Sequence, residues 1–129
     1  MSENSPVQPS HPLVDRTGAA VEVRLLSSGD AYGVFYAGDA QPVGVAEFLD
    51  RDTGAGPQRI FHHTFVGEDF GGRGLAGLLV AAALDDARAA GREVVPMCSF
   101  VARWIAKNNW SGAVATVTDE VEEWVADQG

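Results

Sequence analysis

Gly71-Gly72-Arg73-Gly74-Leu75-Ala76 constrains this chain more than any other stretch, because a β-type apolar run ends just before it near Val66 and an apolar helical pattern begins within it at Leu75. Glycines allow the backbone to approach an anion closely, and the following helix offers unpaired N–H groups and the positive end of its dipole to the same anion. Arg73 adds a side-chain charge. Surface turns also collect glycines, so the surroundings decide whether this loop is a phosphate site or only a turn.

Those surroundings read as a meander followed by a helix. Residues 21–26, 32–37, 42–49 and 59–66 have strand character, separated by turns at 27–30 and 38–41 and by a polar, glycine-rich loop over 50–57. Leu75, Leu78, Leu79, Ala82 and Ala83 then recur at helical spacing across 75–90, with Asp85, Asp86 and Arg88 outward and Gly91 at the stop. A short buried strand over 94–97 follows, then a helix over 100–107 that the Ser99 hydroxyl can cap. Residues 117–126 can form a third helix, with Thr118 at its cap and Val121, Trp124 and Val125 on one face. Residues 1–12 hold Pro6, Pro9 and Pro12 among polar side chains and read as a disordered arm. There is no internal repeat. Gly72-Arg73-Gly74-Leu75-Ala76-Gly77 satisfies the dinucleotide fingerprint, but that motif opens a βαβ series after its first strand. Here several strands come first, so a nicotinamide domain does not fit. One α/β (α+β) domain does.

The loop resembles the acyl-CoA site of the GNAT superfamily of N-acetyltransferases, whose form is Gln/Arg-x-x-Gly-x-Gly/Ala; Gly74 and Ala76 occupy the fixed positions. From about Asp30 to Trp110 the chain is similar to short, single-module GNAT-like proteins, in which a His-Thr-x-Val strand end precedes the loop and a Pro-x-Cys-x-Phe-Val segment follows the helix. Here these read His63-Thr64-Phe65-Val66 and Pro96-Met97-Cys98-Ser99-Phe100-Val101. One departure is Gly71, which stands where the family usually has Arg or Gln. The resemblance implies a GNAT-type fold: an antiparallel meander, a helix, a splayed parallel strand and a second helix. It implies an acetyl-CoA-binding domain over residues 13–110; beyond Trp110 the family gives little guidance, and the residues themselves read as an acidic, helical C-terminal extension over 111–129. Acetyl-CoA would be the cosubstrate and a primary amine of a small molecule or protein the acceptor. Its contacts would come from Phe65 and Val66, offering backbone groups to the pantetheine amides, and from Gly71, Gly72, Arg73, Gly74, Leu75 and Ala76 around the pyrophosphate.

Proline removes a ladder hydrogen bond, so Pro96 marks either an ordinary strand edge or the point where two parallel strands part; the resemblance implies parting strands, with the acyl arm between them. Acetyl transfer also requires a proton for the departing thiolate. Many GNAT enzymes use a tyrosine on the later helix. Here Tyr32 and Tyr36 both lie in the early hairpin, and Trp104 and Trp110 occupy the later aromatic positions. Cys98 is the remaining candidate, at a strand end before a helix start, where it would protonate CoA or accept the acetyl group transiently. Its competing reading is a small packed hydrophobe. His63 reads either as a base or orienting group or as a packed, hydrogen-bonded histidine. His62 and His63 would face opposite sides of a strand and find no third ligand, so no metal site is expected.

Composition bounds the partners. Net charge is −9 with only nine Lys and Arg, against what a phosphate backbone requires, so no nucleic-acid partner is expected. No apolar run has the roughly 18 residues of a membrane span. With no basic-apolar leader and the single cysteine Cys98, the expectation is a cytoplasmic protein, monomeric or a weak homodimer. Asp119, Glu120, Glu122, Glu123 and Asp127 form an acidic terminus that either attracts an amine or simply faces solvent. Two alternatives to an enzyme stand: a non-catalytic acyl-CoA binder, and a small interaction module whose glycine loop is merely a turn.

Overall fold

The structure, a computed structural model, describes residues 5–6 and 13–128. Among the described residues, seven strands make one sheet: β1 Ser5–Pro6, β2 Leu13–Val14, β3 Ala20–Leu25, β4 Ala31–Tyr36, β5 Gly44–Thr53, β6 Gly56–Val66 and β7 Glu93–Pro96. The path runs β1-β3-β4-β5-β6-β7, with β2 also on β3. All pairings are antiparallel except β6 with β7, which is parallel. The helices are α1 Leu75–Ala89, α2 Ser99–Asn108 and α3 Asp119–Gln128, and a 3₁₀ turn at Glu68–Phe70 links β6 to the glycine loop. Meander, helix, parallel strand and helix follow in the order the resemblance implies.

The central strand β4, Ala-Tyr-Gly-Val-Phe-Tyr, is buried from Ala31 to Phe35 because it is covered on both faces. Leu75, Leu79, Val80, Ala83, Leu84 and Ala87 of α1 pack on Tyr32, Val34, Ala46, Phe48 and Phe61 in the main core. A second, smaller cluster on the other side of the sheet joins Ile60 and Val95 to Val121 of α3, with Met97, Val117 and Trp124 against it. Residues 113–115 reach that side by pairing with β7: Val94 N–H donates to Ala113 O and Ala115 N–H to Val94 O.

Four expectations change. The loop expected over 50–57 is strand: β5 runs to Thr53 and β6 starts at Gly56, leaving a two-residue turn. Its acidic residues find partners: Asp50 pairs across the hairpin with Arg59 (2.8 Å), and Arg92, just before β7, reaches Asp50 and Asp52 (3.4 and 3.2 Å). Asp86 does not point outward; it accepts the Tyr32 hydroxyl at 2.6 Å, and Arg59 donates to the same hydroxyl at 2.6 Å. Burial pushes the Tyr32 hydroxyl up, and the Asp86 hydrogen bond adds to that, so it stays protonated as a structural group. Ser99 is the first residue of α2 rather than its cap; the cap position belongs to Cys98, whose side chain makes no capping bond to the helix. Of the arm expected to be disordered, Ser5–Pro6 pairs with Leu25 and Arg24 of β3; residues 1–4 and 7–12 lie outside the described residues.

Candidate functional site

The glycine loop opens onto a cleft of about 880 Å³ between the start of α1 and the side of α2. Gly71, Gly72, Gly74, Leu75, Ala76 and Gly77 form one wall, and Phe100, Arg103, Trp104 and Lys107 form the other. Val66 and Phe70 close the end, and Arg16 leans in from the β2–β3 turn. Gly74 caps α1 with φ of 77° and no side-chain capping bond. A left-handed backbone favours glycine there, and the N–H groups of the first turn face the cleft without a partner from within the helix.

Charge is distributed unevenly. Arg16, Arg103 and Lys107 are three of the nine cations of a chain carrying −9, and among the described residues no carboxylate side chain lines the same cleft. Among the described residues, none of these three makes an ion pair. An apolar-walled cleft with unpaired cations and a helix N-terminus suits an elongated ligand with an anionic end.

β6 and β7 part where Pro96 stands. Their last paired residues are Phe61 and Pro96, and the Cys98 N–H closes the fork by donating to Phe61 O at 2.8 Å. Beyond this point β6 pairs only with β5. A register shift there sets Phe48 opposite Phe61 and Glu47 opposite His63, leaving His62 without a β5 partner. Such a bulge changes which side chains face which way. Phe61, Thr64 and Val66 all look toward the α1 side, whereas His63 and Phe65 are exposed on the other. Gly67 N–H donates to Val43 O, so by strand alternation the backbone groups of Phe65 face β5 and those of Val66 and Thr64 face the fork.

The expected contact residues therefore divide. Val66, Gly71, Gly72, Gly74, Leu75 and Ala76 line the cleft; Phe65 and Arg73 do not. Phe65 has its backbone turned to β5 and its ring 55% exposed. Arg73 is engaged elsewhere: its Nη1 donates to the Tyr36 hydroxyl at 3.0 Å, and its guanidinium lies 5.1 Å from the Phe70 ring centroid. Cys98 sits at the fork, where its thiol donates to Thr64 Oγ1 at 3.4 Å. Thr64 and Val66 are two steps apart on one face, so this thiol lies roughly 7 Å along the strand from the cleft's end. Among the described residues no metal cluster forms, and no helix is long and apolar enough to cross a membrane.

Arg16, Phe70, Arg103 and Lys107 were not foreseen. Phe100, Arg103, Trp104 and Lys107 carried a signal, since spacings of three and four put them on one helical face. Arg16 carried none, because only tertiary pairing brings it 56 residues along to Gly72.

Neither curated proteins nor solved structures gave a match. A family model described as GCN5-related N-acetyl-transferase matches residues 32–113, from the central strand through the glycine loop, the fork and α2, and the chain belongs to that family.

Proposed function

We propose that this protein uses acetyl-CoA to acetylate a primary amine of a small molecule or protein. Membership of the family supports acyl transfer in general. The single observation carrying the finer reading is the cleft: a glycine loop at the start of α1, facing the unpaired Arg16, Arg103 and Lys107, and leading past Val66 to an open strand fork. The diphosphate belongs at the loop, the pantetheine amides at the free backbone of Val66, and the thioester near Thr64 and Cys98.

The chemistry is attack of the amine nitrogen on the thioester carbonyl, with the C–S bond breaking and CoA leaving as a thiolate. Cys98 gives its S–H proton to that thiolate and is reprotonated from solvent. The proton of the amine goes to solvent, because His63, the base candidate, is exposed on the face of β6 opposite Thr64 and Cys98. Tyr32 is unsuited to the first task because its hydroxyl is fully buried between Arg59 and Asp86.

Thermal unfolding with acetyl-CoA, CoA and NAD tests the site. A ligand that binds only the folded chain stabilises it by about 2.7 kcal/mol at a hundredfold excess over Kd; acetyl-CoA should do so and NAD should not. CoA release with a panel of amines tests the reaction. Stabilisation without release would leave an acyl-CoA binder, and stabilisation by neither nucleotide would leave the loop as a turn.

A further inference from the structure

The loop brings no side chain of its own to the mouth of α1. Gly71, Gly72 and Gly74 have none, and Arg73 is held by Tyr36 and Phe70. A cation arrives from elsewhere. Arg16 donates its backbone N–H to Arg73 O at 2.9 Å and its Nη1 to Gly72 O at 3.4 Å, and its Nε stands 3.2 Å from where a Cβ on Gly74 would be. The Gly72 bond is long, and a guanidinium has five N–H donors in a planar fork that matches two phosphate oxygens. Among the described residues, no carboxylate pairs with it.

The turn that carries Arg16 is fixed in place. The neighbouring Asp15 is only 4% exposed, and its Oδ1 accepts the Thr17 N–H, the Thr17 hydroxyl and the Ala19 N–H. Its Oδ2 accepts the Tyr36 hydroxyl, which in turn accepts Arg73. Both the turn and the loop thus hang on Tyr36, so Arg16 is held against the loop from both backbone and side chain. Arg16 lies outside residues 32–113, the span shared with the family.

We propose that Arg16 is the anion-binding side chain the loop lacks, clamping the diphosphate of the acyl donor from a turn outside the family region. This rests on the acetyl-CoA reading above. Arg103 and Lys107 approach from α2, across the cleft, and serve other parts of the same ligand.

Calorimetric titration of CoA, dephospho-CoA and pantetheine into wild type, Arg16→Gln, Gly71→Arg and the double variant decides it. Arg16→Gln should raise Kd for CoA and for dephospho-CoA alike by about tenfold or more, the worth of a charge-assisted hydrogen bond. Pantetheine, which has no diphosphate, should bind the variant and wild type equally. Gly71 has φ of −64° and only Glu68 O, at 3.6 Å, near the place of a Cβ. An arginine therefore fits there, and Gly71→Arg should restore most of the affinity in the Arg16→Gln background. Unchanged CoA binding in Arg16→Gln overturns the proposal, as does a loss confined to CoA, which would place Arg16 on the 3′-phosphate. A loss extending to pantetheine, or no recovery with Gly71→Arg, overturns it as well. Wild type that binds neither CoA nor dephospho-CoA overturns the acetyl-CoA reading first, before any variant is made.

Discussion

Cys98 holds two contacts of different kinds, and they can be separated by substitution. Its amide pins the fork to Phe61, which any residue but proline would preserve, whereas its thiol reaches Thr64. Cys98→Ala should therefore fold and bind acetyl-CoA as wild type does while losing about 10²–10⁴ in transfer rate, the usual contribution of a positioned acid. CoA release from both proteins with one acceptor measures this, and a difference under about threefold would reduce the thiol to packing. Asp15 acts at the same scale but on stability. The Thr17 and Tyr36 hydroxyls, with backbone N–H groups, hold its carboxyl well below the ordinary aspartate value of 3.8. Between the folded and unfolded values the unfolded chain binds more protons than the folded one, so this stabilisation is complete above about pH 4 and is lost as pH falls further. Asp15→Asn should lower the unfolding midpoint by several degrees, with a gap to wild type that stays constant from about pH 8 to about pH 5 and narrows only in stronger acid. A gap that already narrows near neutrality would contradict the ionised, buried carboxylate.

Among the elements, α2 presents Arg103 and Lys107 to the cleft from the same face as Phe100 and Trp104. Both cations are exposed and unpaired, so replacing them with alanine should leave stability within about 0.5 kcal/mol of wild type. CoA affinity should fall by about tenfold for the pair, with a shallower dependence on salt; unchanged affinity would put the nucleotide elsewhere. This face was readable in the sequence because helical spacing is local. The strands of the meander were readable for the same reason, since their β-branched and aromatic runs declare themselves. The hairpin at Gly54–Ala55 was not, because Asp50, Arg51 and Asp52 look like loop composition until Asp50 meets Arg59 across the hairpin and Asp52 meets Arg92. The bulge at His62 was equally hidden. An alternation count puts Phe61 and Thr64 on opposite faces, and only the register against Phe48 and Glu47 reveals that they share one. Gly74 and Ala76 gave the loop's position from sequence, but not which cation serves it. Arg73 is the neighbour in sequence and Arg16 the neighbour in space.

At the scale of the molecule, the sheet separates two tasks. One face carries α1, α2, the loop and the cleft; the other carries the small cluster of Ile60, Val95 and Val121 under α3. Ile60 and Val95 lie on the strands that form the fork, directly adjoining Phe61 and Pro96. Without a cover, β6 and β7 would expose a continuous apolar surface. The acidic residues of α3 face outward from that cover, and Arg51 ties it down through Glu120 at 3.1 Å and through the Trp124 ring at 5.3 Å. Thus α3 acts on the fork from behind, through packing, and touches no part of the cleft. Truncation after Thr116 should remove at least the burial of Val121, worth about 1.5–3 kcal/mol, along with part of that of Trp124. Denaturant unfolding should show a lower midpoint and a smaller slope, because less surface is exposed when the shorter chain unfolds. If the truncated chain still folds, its affinity for pantetheine should suffer more than its contact with the diphosphate, since the fork loosens while the loop, α1 and Arg16 keep their bonds. Equal stability of the truncated and full chains would mean that α3 merely rests on the sheet.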